Sequence, residues 1–591
     1  MGLFQKRLYT LAIGMLLCSV HDATAAFSSS DTLDLDVTFT GVRDVSLRDA
    51  HKQMIWPRPA DLNLDKPAFE YSLMPVRMNV NPTWEREKPK RLKLEEPMQR
   101  LYRGFVDLGM GNYLSPSLTA SYTDLRAKDS NWGTQILHQS TRGGFILDES
   151  LENESPQQFS STEVSGWYKK FFKRHQLTTT TAYNRDHISY YGRTNEVLVD
   201  TSFFGTGDSS TFQSWNSEVR FGQLNNDADL KIEATAKYQL FWNDRNVKEH
   251  NLDATVSIQR NVESTPFSLL LHSNIDRLKR QEEGLILAPQ KQAIFDLHPN
   301  ISKSTENLKT HFGFGLWIDA QGNKPFLFVP EISASLSFLQ NVFVAYGELG
   351  GGIDQNRFAA ALELNPFIPS PADTTSDWQN TYENLAVRGG LKGSITRAIA
   401  FDLSASNKNR KQHLFWTPID PFGNGSAFSP LYQDVNITTL SGNATWKLND
   451  ATSISSSIQQ HTYRFADTLQ TEMTAWNLPS MEIRGQVRHS IKDKIHFNSS
   501  IEWVTGRRGM NAYSPIVESI EEITEITSQS ILGYAYDLQD ILRWNMRIEY
   551  AYNTRISAWI SGINLLNRTN PVFYGYNDQG IRFQMGFNYA F

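Results

Sequence analysis

The sequence predicts an all-β fold: a large transmembrane antiparallel β-barrel of about 22 strands, with a short irregular N-terminal extension. Three observations predict it. Apolar and polar residues alternate in strand-length segments from residue 98 to the end. Aromatic residues are 12% of the chain and often close the apolar series. Beyond the first 25 residues, no run of about 18 apolar residues offers a transmembrane helix.

The alternation is plain in the first segments. Tyr102, Gly104, Val106, Leu108 and Met110 alternate with Arg103, Phe105, Asp107 and Gly109, and Leu114 to Thr123 reads the same way. Successive side chains of a strand point to opposite faces, so each segment has one apolar and one polar face. Leu230 to Trp242, Leu252 to Ile258 and Trp544 to Tyr552 repeat the pattern. In lipid every backbone polar group needs an internal partner, so a spanning sheet must close on itself. Apolar side chains then face hydrocarbon and polar ones the lumen. A soluble sandwich also alternates, but it needs a second layer to cover its apolar face.

Connections divide into short turns, such as Asn225-Asn226-Asp227 and Leu448-Asn449-Asp450, and long polar stretches. The stretches Arg142 to Gln158, Leu362 to Gln379 and Pro418 to Ser429 read as extracellular loops.

The last strand carries the cleanest signal. Ile581, Phe583, Met585, Phe587, Tyr589 and Phe591 alternate without exception with Arg582, Gln584, Gly586, Asn588 and Ala590. An apolar strand with an aromatic end is an open edge for β-augmentation during assembly. Phe583, Phe587, Tyr589 and Phe591 are therefore the expected assembly signal for barrel-insertion machinery in the bacterial outer membrane.

The N-terminal region divides in two. Lys6-Arg7, the apolar run Leu8 to Val20 and Ala23-Thr24-Ala25 read as a signal peptide over 1–25. Residues 26–97 hold Pro57, Pro59, Pro67, Pro75, Pro82, Pro89 and Pro97, with basic residues at Arg86, Lys88, Lys90, Arg91 and Lys93. Proline fixes φ and removes a donor, which excludes a helix or sheet interior. This extension reads either as a periplasmic tail or as a segment entering the lumen.

Composition removes several functions. The net charge of −6 gives no basic footprint for nucleic acid. Cys18, in the signal region, is the one cysteine, so no disulfide framework or thiolate metal site is expected. The scattered histidines lack metal-ligand spacing and are expected in the lumen or loops. His311-Phe312-Gly313-Phe314-Gly315 lacks the lysine of a phosphate loop, and its glycines are expected to ease strand curvature. Gly350-Gly351-Gly352 reads as a bulge, a close backbone approach or a hinge. Phe203, Phe204, Trp378 and Trp416 read as girdle aromatics with a lesser chance of ligand contact. No hydrolase elbow occurs, and neither an enzyme nor a cofactor is expected.

Residues 556–591, with Ile563-Asn564-Leu565-Leu566-Asn567, Tyr574-Gly575-Tyr576 and the terminal strand, resemble the closing hairpin of TonB-dependent receptors. Leu101 to Phe105, Gly109 to Tyr113, Leu125 to Lys128 and Asn365-Pro366-Phe367 extend the resemblance to a plug-poor group of such barrels from the Bacteroidota. Leu33 to Phe39 is loosely similar to an energy-coupling box. The resemblance implies solute binding and uptake across the outer membrane, with TonB as a possible partner. Residues 26–97 are too few for the full plug domain of such receptors. That departure keeps a second expectation open, a structural or assembly component that docks other envelope proteins.

Overall fold

The computed structural model of the chain describes residues 102–591, apart from 126–127, 147–153, 191–208, 225–229, 263–264, 283–284, 287, 323, 369–376, 419–427, 466–472, 512–533 and 574. The expected signal peptide and extension lie outside the described residues, as do the Asn225-Asn226-Asp227 turn, Phe203 and Phe204.

Among the described residues, 22 strands form one antiparallel sheet that closes on itself. The first nine are β1 (Gly104–Gly111), β2 (Ser117–Thr123), β3 (Ser130–Ile146), β4 (Glu154–Phe171), β5 (His175–Ser189), β6 (Ser209–Gln223), β7 (Leu230–Asn243), β8 (Lys248–Val262) and β9 (Thr265–Lys279). Next come β10 (Gln290–Ser304), β11 (Leu308–Asp319), β12 (Phe326–Phe338), β13 (Phe343–Asp354), β14 (Thr381–Ser394), β15 (Ile399–Pro418) and β16 (Phe428–Asn449). The last six are β17 (Thr452–Phe465), β18 (Met481–Ile491), β19 (Ile495–Thr505), β20 (Ile541–Ala551), β21 (Ile556–Ile563) and β22 (Arg582–Ala590). Each strand pairs with its sequence neighbours, and β22 pairs with β1 from Phe105↔Ala590 to Gly111↔Gln584.

An even strand number puts both ends of the barrel on one side. At that side the connections are tight, as in 172–174, 305–307, 339–342, 450–451 and 492–494. The opposite side carries 355–380, 466–480, 506–540 and 564–581. Short periplasmic turns and long extracellular loops fix the orientation: Gly104 and Ala590 stand at the periplasmic end. The tight turns use left-handed backbone, with Leu339, Gln340 and Asn341 at φ 51, 57 and 65°.

The alternation in the sequence becomes a two-faced wall. Phe583, Phe587, Tyr589 and Phe591 are 55, 49, 40 and 45% exposed on the outer face, as are Leu252, Ile275, Phe295, Phe312 and Trp544. This apolar outer band suits a bacterial outer membrane. On the lumen face of the seam, the indole of Trp559 lies against Gly109 and Gly586. A Cβ on either glycine would come within 2.7 Å of that ring. Trp559 Nε1 donates to Asp107 Oδ1 at 2.9 Å, and the Arg547 guanidinium stacks 4.1 Å from the indole centroid.

Three expectations need correction, and the His311 to Gly315 glycines show a role beside the curvature expected of them. Arg142 to Gln158 is mostly strand, because Arg142 pairs with Gln158 and only 147–153 separate β3 from β4. Above the membrane both faces of a strand meet water, so the alternation that marks a strand is lost. Leu114 is in a turn with φ 43° between β1 and β2, not in a strand. The glycines of His311 to Gly315 make room for wall side chains: a Cβ at Gly315 would lie 2.8 Å from Trp317 Nε1 and 3.0 Å from Glu331 Oε1. Finally, Trp378 and Trp416 are buried at the mouth, neither in a girdle nor open to a ligand. Of the readings for Gly350 to Gly352, the bulge is right, with a register shift against β14 between Gly350 and Gly352.

Candidate functional site

The mouth of the barrel is crossed by an insert. The connection 355–380 between β13 and β14 carries a short helix, α1 (Phe358–Leu364), whose sequence FAAALEL is mostly apolar. A helix start leaves backbone N–H groups without intrahelical partners. Arg357, at the cap, offers no side-chain hydrogen bond to them. The wall supplies one instead. Glu249 of β8, only 1% exposed, accepts from the Ala359 N–H at 3.1 Å and from Arg357 Nη1 at 3.0 Å. Arg357 also donates to Gln239 of β7. A carboxylate at a helix N-terminus is favoured by the helix dipole as well.

Beyond the helix, the insert is held by rings and carbonyls. Phe358, Ala359, Ala361, Leu362, Phe367, Ile368 and Trp378 form one apolar cluster with wall residues. Its first anchor is the rim of β5 to β9, through Tyr190, Phe212, Phe241, Val247 and Leu278. Its second is the β15–β16 hairpin, through Trp416 and Phe428. Its third is the β21–β22 connection, where Tyr576 stacks on Phe367 with centroids 3.5 Å apart. In a ring of 22 strands these anchors lie roughly a third of the circumference apart, so the cluster spans the opening. Polar ties complete the attachment. Gln290 and Gln292 Nε2 donate to the Trp378 carbonyl at 2.7 and 2.8 Å, and Arg280 pairs with Asp377 at 2.6 Å.

Below the mouth the lumen wall carries a ladder of carboxylates and imidazoles. His272 Nδ1 lies 2.7 Å from Asp296 Oδ1, and its Nε2 lies 3.4 Å from Asp253 Oδ2. His298 Nε2 lies 2.8 Å from Asp296 Oδ2, and its Nδ1 lies 2.6 Å from Glu331 Oε1. An imidazole can donate at both nitrogens only in its cationic form. The groups run in a line along the wall, and among the described residues no three His, Cys, Asp or Glu side chains converge as metal ligands would. The lumen expectation holds for these two histidines. His250 instead lies on the outer face, where its Nδ1 bonds Tyr238 Oη at 2.8 Å.

None of the insert's anchors stands out as a group in the sequence. Asn365-Pro366-Phe367 was the nearest signal, because Phe367 is the ring that meets Tyr576. The residues expected to guide assembly are elsewhere, on the outer face of β22, from Phe583 at its extracellular end to Phe591 just past its periplasmic end.

No family model matches the chain, and no curated protein matches it. Solved structures do. The siderophore receptor PirA from Acinetobacter baumannii superposes with a TM-score of 0.62 at 11% identity, over 83% of this chain and 80% of that one. The FrpB iron transporter from Neisseria meningitidis gives 0.61 at 9% identity, over 84 and 82%. The ferric-catecholate import receptor Fiu from E. coli K12 gives 0.58 at 9% identity, over 83 and 82%. This chain therefore shares its fold, a closed antiparallel β-barrel, with siderophore receptors and an iron transporter.

Proposed function

We propose that this protein is an outer-membrane receptor that captures a solute at the cell surface and passes it through the barrel. The observation that carries this reading is the mouth insert. A wide barrel with a polar lumen leaks unless its opening is obstructed, and the insert crosses that opening on side-chain anchors rather than on the sheet. Anchors of that kind can be released and remade while the wall stays whole. The solved barrels it resembles are named for siderophores and iron, so an iron chelate is the first solute class to test. The reading includes a TonB-type partner for residues 26–97 at the periplasmic side, export by residues 1–25, and Phe583, Phe587, Tyr589 and Phe591 as the assembly signal. It includes no catalytic step.

Planar-bilayer conductance tests the gate. The full mature protein is expected to be nearly silent, and a variant with 358–368 replaced by a short Gly-Ser linker is expected to conduct steadily. Uptake of radiolabelled iron, offered as ferric siderophores to cells with and without the protein, tests the cargo. Equal conductance of both proteins would remove the gating role, and equal iron uptake across a broad siderophore panel would remove the proposed cargo class.

A further inference from the structure

The lumen wall beneath the insert holds a cavity of about 490 Å³, built on β4 to β9. That is within the size range of small-molecule sites. The register sets its chemistry in two rows. Asn216, Gln239 and Asn251 stand side by side across β6, β7 and β8. One rung toward the periplasm, Glu218, Lys237, Asp253 and Asn274 stand across β6 to β9. That second row continues through Thr180 to Trp167 of β4. Alternate residues of a strand share a face, so both rows face the lumen. Arg357 reaches the cavity from the insert above.

Much of the hydrogen-bonding capacity here is uncommitted. Asn251 Nδ2 donates to Asn274 Oδ1 at 2.6 Å, and Asn216 Nδ2 donates to Ser214 Oγ at 3.2 Å. Gln239 Oε1 accepts from Arg357. The other ends of these amides, Asn216 Oδ1, Gln239 Nε2 and Asn274 Nδ2, make no hydrogen bond to a described residue. One amide offers both a donor and an acceptor, as does one hydroxyl group. The charges of the lining balance, with Glu218 and Asp253 against Lys237 and Arg357. Neither a strong anion nor a strong cation is selected by such a site. Trp167 adds a flat apolar surface, its indole lying so close over Gly133 that no Cβ fits there. The C–H face of a sugar ring suits that surface.

We infer that this cavity binds a neutral, hydroxyl-rich group of the sugar class, and that the bound group competes with Arg357 for Gln239. Arg357 ties the start of the insert to the wall, so occupancy of the cavity loosens the insert. The inference rests on the reading that a solute passes through the barrel, and it names the part of the solute held in the lumen, whether or not that solute carries iron. A polycarboxylate would meet Glu218 and Asp253, and a peptide would find few apolar side chains to hold its own.

Isothermal titration calorimetry of the full mature protein, in a detergent without a sugar headgroup, tests the site. The probes are maltose, cellobiose and diacetylchitobiose, with citrate as the anionic comparison. At least one disaccharide should bind with millimolar affinity or better, and citrate should bind more weakly. Asn216→Ala with Asn274→Ala should weaken the disaccharide by at least about tenfold. Gln486→Ala, which removes a lumen amide on β18, should bind it normally. Heat-modifiable migration confirms that each variant is folded. The sugar should also speed protease cutting within 355–380 in the wild type and leave the double variant unchanged. Binding of no disaccharide, undiminished binding by the double variant, or a preference for citrate overturns the site. Binding that leaves proteolysis unchanged overturns the competition for Gln239. Binding is read on purified protein, so the inference can fail while uptake persists, and uptake can fail while the sugar still binds.

Discussion

The seam that closes the barrel and the insert that crosses its mouth both join distant parts of the chain, by different means. At the seam, β22 meets β1 through a backbone ladder, with Arg103 N donating to the Phe591 carbonyl at 2.7 Å and Phe591 N to that of Gly104 at 2.9 Å. Side chains there need only the right parity and, on the lumen face, room for Trp559. The insert has no ladder. It rests on Glu249, Arg357, the ties of Gln290, Gln292 and Arg280, a set of packed rings and one described backbone bond to the sheet, from the Phe428 N–H to the Phe367 carbonyl at 3.1 Å. A wall held by backbone bonds tolerates many sequences, whereas an insert held by a few side chains depends on each of them. The first arrangement suits a permanent structure and the second a movable one.

This contrast can be broken or sharpened experimentally. The largest effect is expected from deleting residues 580–591, which removes β22 and leaves β1 and β21 as open edges. Heat-modifiable barrel should vanish from the outer membrane, and its persistence would disprove the seam's role. Trp559→Ala empties the lumen side of the seam. It should cost about 3 kcal/mol or more, read as a lower urea midpoint of the whole barrel.

Glu249→Gln leaves Arg357 without its carboxylate partner in a nearly buried site, a loss of about 3 kcal/mol confined to the insert. Protease should then cut within 355–380 while the barrel midpoint stays unchanged. A shift of that midpoint would mean that insert and wall melt as one unit. The smallest effect is expected from Gly315→Ala, which crowds Glu331 and His298. It should cost about 1–2 kcal/mol of stability, read as a smaller fall in the same midpoint.

Much of the wall was legible because a barrel strand repeats one rule. The exposed faces of β22, β20 and β7 follow the alternation, and the Leu448-Asn449-Asp450 signal ends in the tight turn 450–451, its first two residues closing β16. Arg142 to Gln158 was misread because a strand that rises clear of lipid has no reason to alternate. The insert was hidden for another reason. Phe358 to Ile368 is a short apolar run, and no local pattern says that its partners are Glu249, Trp416 and Tyr576. Trp378 and Trp416 look like girdle residues in sequence because burial at a mouth and burial at a membrane interface select the same side chain.

The pairing of β1 with β22 also has a kinetic consequence. Hairpins such as β8–β9 close over a few residues, but the seam joins segments more than four hundred residues apart. Loop-closure entropy rises with that separation, and contacts so distant in sequence form slowly. Until they form, β22 offers Phe583, Met585 and Phe587 on an unpaired, aggregation-prone edge. Its lifetime in the periplasm is thus set by how fast one strand finds another, and a cell making this protein in quantity would need something to hold that edge in the meantime.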